Sequence, residues 1–221
     1  MKREAAVQAA CLVRAALIGA LCLCGVTGCV APVREQLSAL QKAPVCCASM
    51  REFKYAPLSM SDEKEVTLDV ESPAFGFDAG KSFFAAYRLP AWSAPYQIRA
   101  EAQPGNVRGG LLAPSALLLD GDFRVTRQFN VAQGPNARPG VVHIFVNESN
   151  RSEQYIVFFT AKLAASDGVN AIIAMPTMIA IGTVPVQIGA SESRVSLPYS
   201  PTGVFQLKVW PYQPARAGQG G

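Results

Sequence analysis

A single histidine, His143, is all that the 221 residues offer as an ordinary base at neutral pH. Nucleophilic catalysis needs a base placed against the nucleophile. His143 instead sits inside the alternating run VVHIFV, where it shares a strand face with Val141 and Phe145. We read it as a half-buried strand residue. The signatures GxSxG, HExxH, GxGxxG and the P-loop are absent as well, so the common hydrolase, metalloprotease and nucleotide-binding chemistries have no carrier. Two carboxylates meeting in space, as in a glycosidase, would be the remaining catalytic route. The expectation is a protein that is not an enzyme and uses no cofactor.

Charge of one sign is also scarce. The chain has 20 basic and 16 acidic residues with no run of either, so nucleic-acid binding has no electrostatic footprint. The six cysteines look numerous, but four crowd the first 29 residues: Cys11, Cys22, Cys24 and Cys29.

What is present at the start explains that crowding. Lys2, Arg3 and Arg14 precede a mostly apolar run from Ala15 to Val26, which leads into Val26-Thr27-Gly28-Cys29. A basic region, a short apolar stretch and small residues at the cut describe a secretory signal. The run is shorter than the ~20 apolar residues that a membrane span needs. A cysteine directly after the small residue resembles the bacterial lipobox, in which that thiol is lipidated and becomes the new N-terminus. Residues 1–28 are therefore read as a lipoprotein signal peptide, and Cys29 as the lipid attachment site. Val30 in place of aspartate resembles the pattern sent on to the outer membrane, which gives an expected address on its periplasmic leaflet.

Removing residues 1–28 leaves 193 residues, with 17 basic and 15 acidic side chains and only two free cysteines, Cys46 and Cys47. A structural zinc normally takes four His or Cys ligands, and His143, Cys46 and Cys47 are too few, so no metal is expected. The adjacent pair has three options: a disulfide between neighbours, a bond to another protein, or two buried thiols.

Residues 29–45 read as a lipidated tether, in which Val33–Lys42 could form a short helix before Pro44 stops it. Beyond it, period-two alternation and short apolar runs bounded by Gly, Pro, Asn or Asp mark strands. They are Glu65–Val70, Ser82–Leu89, Tyr96–Ala102, Ser115–Asp120, Phe123–Phe129, Val141–Val146, Gln154–Thr160 and Val204–Trp210. Asp120-Gly121 signals a hairpin turn, and Asn147–Arg151 reads as a longer hairpin loop. With no helix-period segment between strands, the fold class is all-β. The architecture expected over residues 46–212 is an antiparallel β-sandwich, jelly-roll or immunoglobulin-like, preceded by the helical tether. The polar tail 213–221 is read as disordered.

Val169–Ile188 is apolar and almost uncharged, but Pro176, Gly182 and Pro185 interrupt it. It reads as one or two buried strands or a hairpin packed on the core, with an exposed partner patch as the alternative. Among the aromatics, Trp92, Tyr96 and Trp210 are candidates for stacking on sugar, because flat rings with a polar edge suit that task.

Three stretches are similar to the maltose operon periplasmic protein family. Leu112-Ala113-Pro114-Ser115 running into Leu117–Asp120 resembles that family's FAPNVLILD. Gln154–Thr160 (QYIVFFT) resembles its LYVLVFTT. Pro201-Thr202-Gly203 leading into Val204–Val209 resembles its closing TDGLLKLKV. Tyr55–Leu58 and Phe84–Pro90 add weaker support, so the likeness spans roughly residues 45–210. It implies a periplasmic, non-enzymatic accessory protein encoded with maltodextrin uptake and porin genes. Its partners would be the membrane through its lipid, and a maltodextrin or a maltoporin-like channel. An outer-membrane interaction lipoprotein without a sugar ligand is the alternative. The family's long C-terminal extension is missing here, and the lipid is expected to take over membrane attachment.

Overall fold

The computed structural model describes residues 31–103, 110–130, 140–160, 168–181 and 184–213, with the backbone alone described for the strand residues among 168–195. The signal peptide, Cys29 and residues 214–221 of the tail lie outside the described residues.

The tether forms helix α1, Val33–Lys42, with Gln36 and Leu40 buried. Thirteen strands follow in the described residues: β1 Ala56–Pro57, β2 Glu63–Leu68, β3 Ala74–Phe77, β4 Gly80–Arg88, β5 Tyr96–Ala102, β6 Leu111–Leu112, β7 Pro114–Asp120, β8 Val125–Phe129, β9 Val141–Val146, β10 Glu153–Thr160, β11 Gly168–Ile181, β12 Val184–Ser200 and β13 Gly203–Pro211. The protein is an all-β sandwich preceded by a short helix. One sheet runs β1-β4-β10-β7-β8, with β3 also on β4, and the other runs β2-β13-β5-β9. Long-range pairings within these two sheets are antiparallel, apart from the short parallel pair β1–β4.

The burial of each sheet explains its sequence pattern. β5, β9 and β13 alternate because only one face is covered: Tyr96, Ile98, Ala100, Val142, Ile144, Val146, Phe205, Leu207 and Val209 point inward. β7 and β10 read as unbroken apolar runs because both faces of their sheet are covered. Ala116, Leu118, Ile156 and Phe158 face the other sheet. Leu117, Leu119, Val157 and Phe159 face a second cluster closed by Phe53, Phe77 and the segment around Cys47. Each fully buried large side chain contributes about 1.5–3 kcal/mol.

Two turn readings are corrected. Asn147–Arg151 does not join a hairpin, because β9 pairs with β5 while β10 pairs with β4 and β7 in the opposite sheet. The short 3-10 turn at Glu148–Asn150, capped reciprocally by Asn147 and Asn150, turns the chain from one layer to the other. At the β7–β8 turn, which is a hairpin, the left-handed residue is Phe123 (φ 64°) rather than Gly121, so β8 starts at Val125. Asp120 fixes this turn by accepting from the N–H groups of Asp122 and Arg124, both at 2.9 Å. The Phe123 ring then stacks on Tyr155 at 4.7 Å, which helps to hold a bulky residue in a conformation it rarely adopts.

The apolar segment Val169–Ile188 lies in a hairpin of β11 and β12, paired from Gly168↔Pro198 to Ile181↔Val184 with a register shift between Thr177 and Met178. Beyond it β12 meets β6 in a short parallel pair.

Candidate functional site

The two sheets are closed differently along their two seams. At the β8/β9 side, Arg127 of one sheet donates to the carbonyl of Phe145 in the other at 3.1 Å. At the opposite side, edge strand β2 passes β4, and the seam opens into a groove of about 820 Å³. That volume is within the usual range of small-molecule sites, about 300–1,000 Å³.

The groove exists because the outer edge of β4 is only partly paired. β3 covers Gly80–Phe83 and β1 covers Tyr87–Arg88, which leaves a break between them. The Phe84 N–H donates outward to the Pro73 carbonyl at 3.0 Å, and the Arg88 carbonyl accepts outward from Leu58 N–H at 2.9 Å. Main-chain groups alternate sides along a strand, so Ala86, midway between them, turns its N–H to the same edge and into the groove.

Cys46 and Cys47 line the near end of the groove and are joined to each other by a disulfide. Cys46 N–H donates to the Ala74 carbonyl at 2.9 Å, which fastens the pair to the start of β3. Cys47 packs into the aromatic cluster with Phe53 and Phe84, whose rings stack at 4.1 Å. Tyr87 forms part of the floor, and burial raises its pKa. Its ring already carries a cation: the Lys64 ammonium lies 4.6 Å from the ring centre. The rim is polar, with Glu65, Thr67 and Glu71 exposed and Glu52 and Lys54 beside them. Glu65 and Glu71 have no side-chain partner among the described residues. A smaller groove of about 460 Å³ lies on the other side of the same segment, between Arg51, Phe75, Phe123 and Gln128.

The residues expected to stack on sugar are not brought together. Tyr96 is 1% exposed, because its place in the β5 alternation points it into the core, so it is unable to stack on any ligand. Trp210, one position from the inward Val209, lies on the outer face of the second sheet, where its ring stacks with His143 at 5.8 Å. Trp92 is half-buried against the main cluster, 6.4 Å from Tyr96. His143, expected to be half-buried, is exposed opposite Arg99 on β5, because Val142, Ile144 and Val146 take the covered face of β9. No cluster of three metal-ligating side chains occurs among the described residues.

The sequence flagged the cysteine pair but missed the rest of the groove. Glu65, Thr67 and Glu71 converge on Phe84–Tyr87 only because an edge strand of one sheet runs past a gap in the edge of the other, and no local pattern announces that gap.

No protein-family model, no curated protein and no solved structure matches the chain.

Proposed function

We propose that the protein is a lipid-anchored accessory protein of the bacterial envelope that assists uptake of maltodextrins or other oligosaccharides. The observation that carries this reading is the ligand-sized groove whose wall, Cys46–Cys47, begins immediately after the tether. Supporting it are the lipobox ending at Cys29 and the three stretches similar to the maltose operon periplasmic proteins. The tether is not a loose string in this reading. Leu40 of α1 joins the main core, and the Gln36 carboxamide accepts from the hydroxyls of Ser200 and Thr202, the latter at 2.6 Å. Lys81 donates to the carbonyls of Gln41 and Ala43 at the C-terminal end of α1, where a cation is favoured. The sandwich would be held within a few residues of its lipid.

Two measurements test the proposal in cells that depend on the protein: metabolic labelling with palmitate, and uptake of a labelled maltodextrin. Cys29→Ala is expected to abolish labelling and to reduce uptake at equal protein level. Labelling that persists in Cys29→Ala sinks the anchor, and uptake unchanged by deletion of the whole chain sinks the transport role.

The second reading, an interaction lipoprotein without a sugar ligand, is favoured by the β11–β12 hairpin, whose strands of 14 and 17 residues are the longest described. It predicts crosslinks from the hairpin to an envelope protein with no response to sugars.

A further inference from the structure

We propose that the groove at the β2/β4 seam is a binding site for a neutral oligosaccharide, with the Cys46–Cys47 disulfide as its fixed apolar wall. This deepens the proposed function, on which the choice of a glycan rests, and replaces the surface aromatics as the stacking platform.

Charge decides against anionic ligands. Three carboxylates, Glu52, Glu65 and Glu71, outnumber the two ammonium groups nearby, Lys54 in the lining and Lys64 on the Tyr87 ring, so a phosphate or a sulfated or sialylated glycan would be disfavoured. A cationic ligand would be drawn to the same carboxylates, and what opposes it is the Lys64 ammonium already placed on the Tyr87 face. A purely apolar ligand would prefer an enclosed cavity, and this groove is open with charged and polar side chains along its rim. What remains is a ligand that presents apolar C–H faces and hydroxyl edges together, which is the chemistry of a neutral sugar.

The parts match that chemistry. The disulfide, Phe53 and Phe84 supply an apolar wall anchored by the Cys46–Ala74 hydrogen bond. Glu65 and Glu71 are uncommitted acceptors for sugar hydroxyls, Thr67 can donate or accept, and the Ala86 N–H is a donor fixed by the sheet. Planar carboxylates at a polar rim above an apolar floor give orientation as well as affinity. The groove runs beside β4 from Pro73, at Phe84, to Ala56, at Tyr87, a span of about 10 Å.

The test uses the full-length lipoprotein in detergent micelles, titrated by calorimetry with maltoheptaose, cellohexaose, sialyllactose and spermidine. Saturable binding is expected for a neutral glycan and not for sialyllactose or spermidine. Thr67→Trp fills the groove from an exposed position on β2 and is expected to weaken that binding by at least ~10-fold while leaving the melting temperature unchanged. Gln128→Trp blocks the smaller groove and is expected to bind as the unmodified protein does. Cys46→Ser with Cys47→Ser removes the wall and is expected to weaken binding in the same direction as Thr67→Trp. Neutral-glycan binding that survives Thr67→Trp, or is lost in Gln128→Trp instead, overturns the site and leaves the transport role standing. Preference for spermidine or sialyllactose overturns the charge argument. Absence of glycan binding alongside protein-dependent maltodextrin uptake overturns the site, and the uptake measurement then carries the function alone.

Discussion

Arg127 holds the carboxylate of Glu153 with two nitrogens, Nε at 2.7 Å and Nη2 at 2.6 Å, and with its third reaches the other sheet at Phe145. Glu153 is 1% exposed at its side chain and also accepts from the Thr126 hydroxyl at 2.8 Å. Bidentate geometry of this kind orients as well as attracts. It ties β8 to β10 and closes the seam opposite the groove.

Removing one partner strands the other. Arg127→Ala leaves the buried Glu153 carboxylate unpaired and is expected to cost about 3–5 kcal/mol in urea denaturation. Arg127→Met combined with Glu153→Leu is expected to cost much less than either single truncation. A double variant as unstable as Arg127→Ala alone would show that packing, and not the stranded charge, sets the cost.

Tyr96 sets an upper pH limit. Burial, reinforced by the nearby Glu153 carboxylate and opposed by Arg127, pushes its phenol up to about 12 from an ordinary value of 10.0. The unfolded chain therefore loses this proton first as pH rises, so the contribution to stability is complete below about pH 10 and declines as pH climbs towards 12. Burial raises Tyr87 and Tyr55 in the same direction, with Tyr155 adding to Tyr55. Melting curves between pH 9 and 11.5 are expected to fall less steeply for Tyr96→Phe. An unchanged slope would exclude Tyr96 as a contributor.

Ser82 and Thr160 form a buried polar link between β4 and β10. The Thr160 N–H donates to Ser82 Oγ at 2.9 Å, the two hydroxyls lie 2.9 Å apart, and Ser82 Oγ also meets the Phe83 carbonyl at 2.7 Å. Ser82→Ala leaves a buried amide and a buried hydroxyl short of a partner, with an expected loss of about 1–3 kcal/mol. Equilibrium denaturation reads it, and a loss within error of zero would mean that another group or water takes over.

Gly110 marks where α1 meets the base of the long hairpin. Its φ is +76°, and a Cβ there would lie 2.5 Å from the Pro198 carbonyl oxygen and 2.9 Å from Val33 Cγ2. Gly110→Ala is expected to cost more than about 1 kcal/mol. Limited proteolysis is expected to cut between residues 31 and 45 sooner in that variant and in Gln36→Ala. Equal cutting rates would show that α1 is held by Leu40 alone.

The sandwich was legible where one physical rule acted alone. β5, β9 and β13 announced themselves by alternation because each has one covered face, and α1 by its apolar side and the proline that follows. β1, β3 and β6 were missed because strands of two to four residues pair by tertiary placement and carry too few side chains to show a period. The Asn147–Arg151 turn was misread because a polar loop between two strands looks the same whether the strands pair or change layers. For the site, the sequence singled out Cys46–Cys47 by its chemistry, and misjudged Tyr96 because an aromatic ring reads alike inside and outside a core.

The position of β13 has a consequence for folding during synthesis. It lies between β2 and β5, so residues 63–68 and 96–102 have their principal partner at 203–211. A chain that emerges N-terminus first presents twelve of its thirteen described strands before that partner arrives. The second sheet has no centre until then, and contacts of such sequence separation form slowly. Synthesis would thus pass through an open, sticky intermediate, and a holding chaperone would have to shield it until the nine-residue β13 arrives.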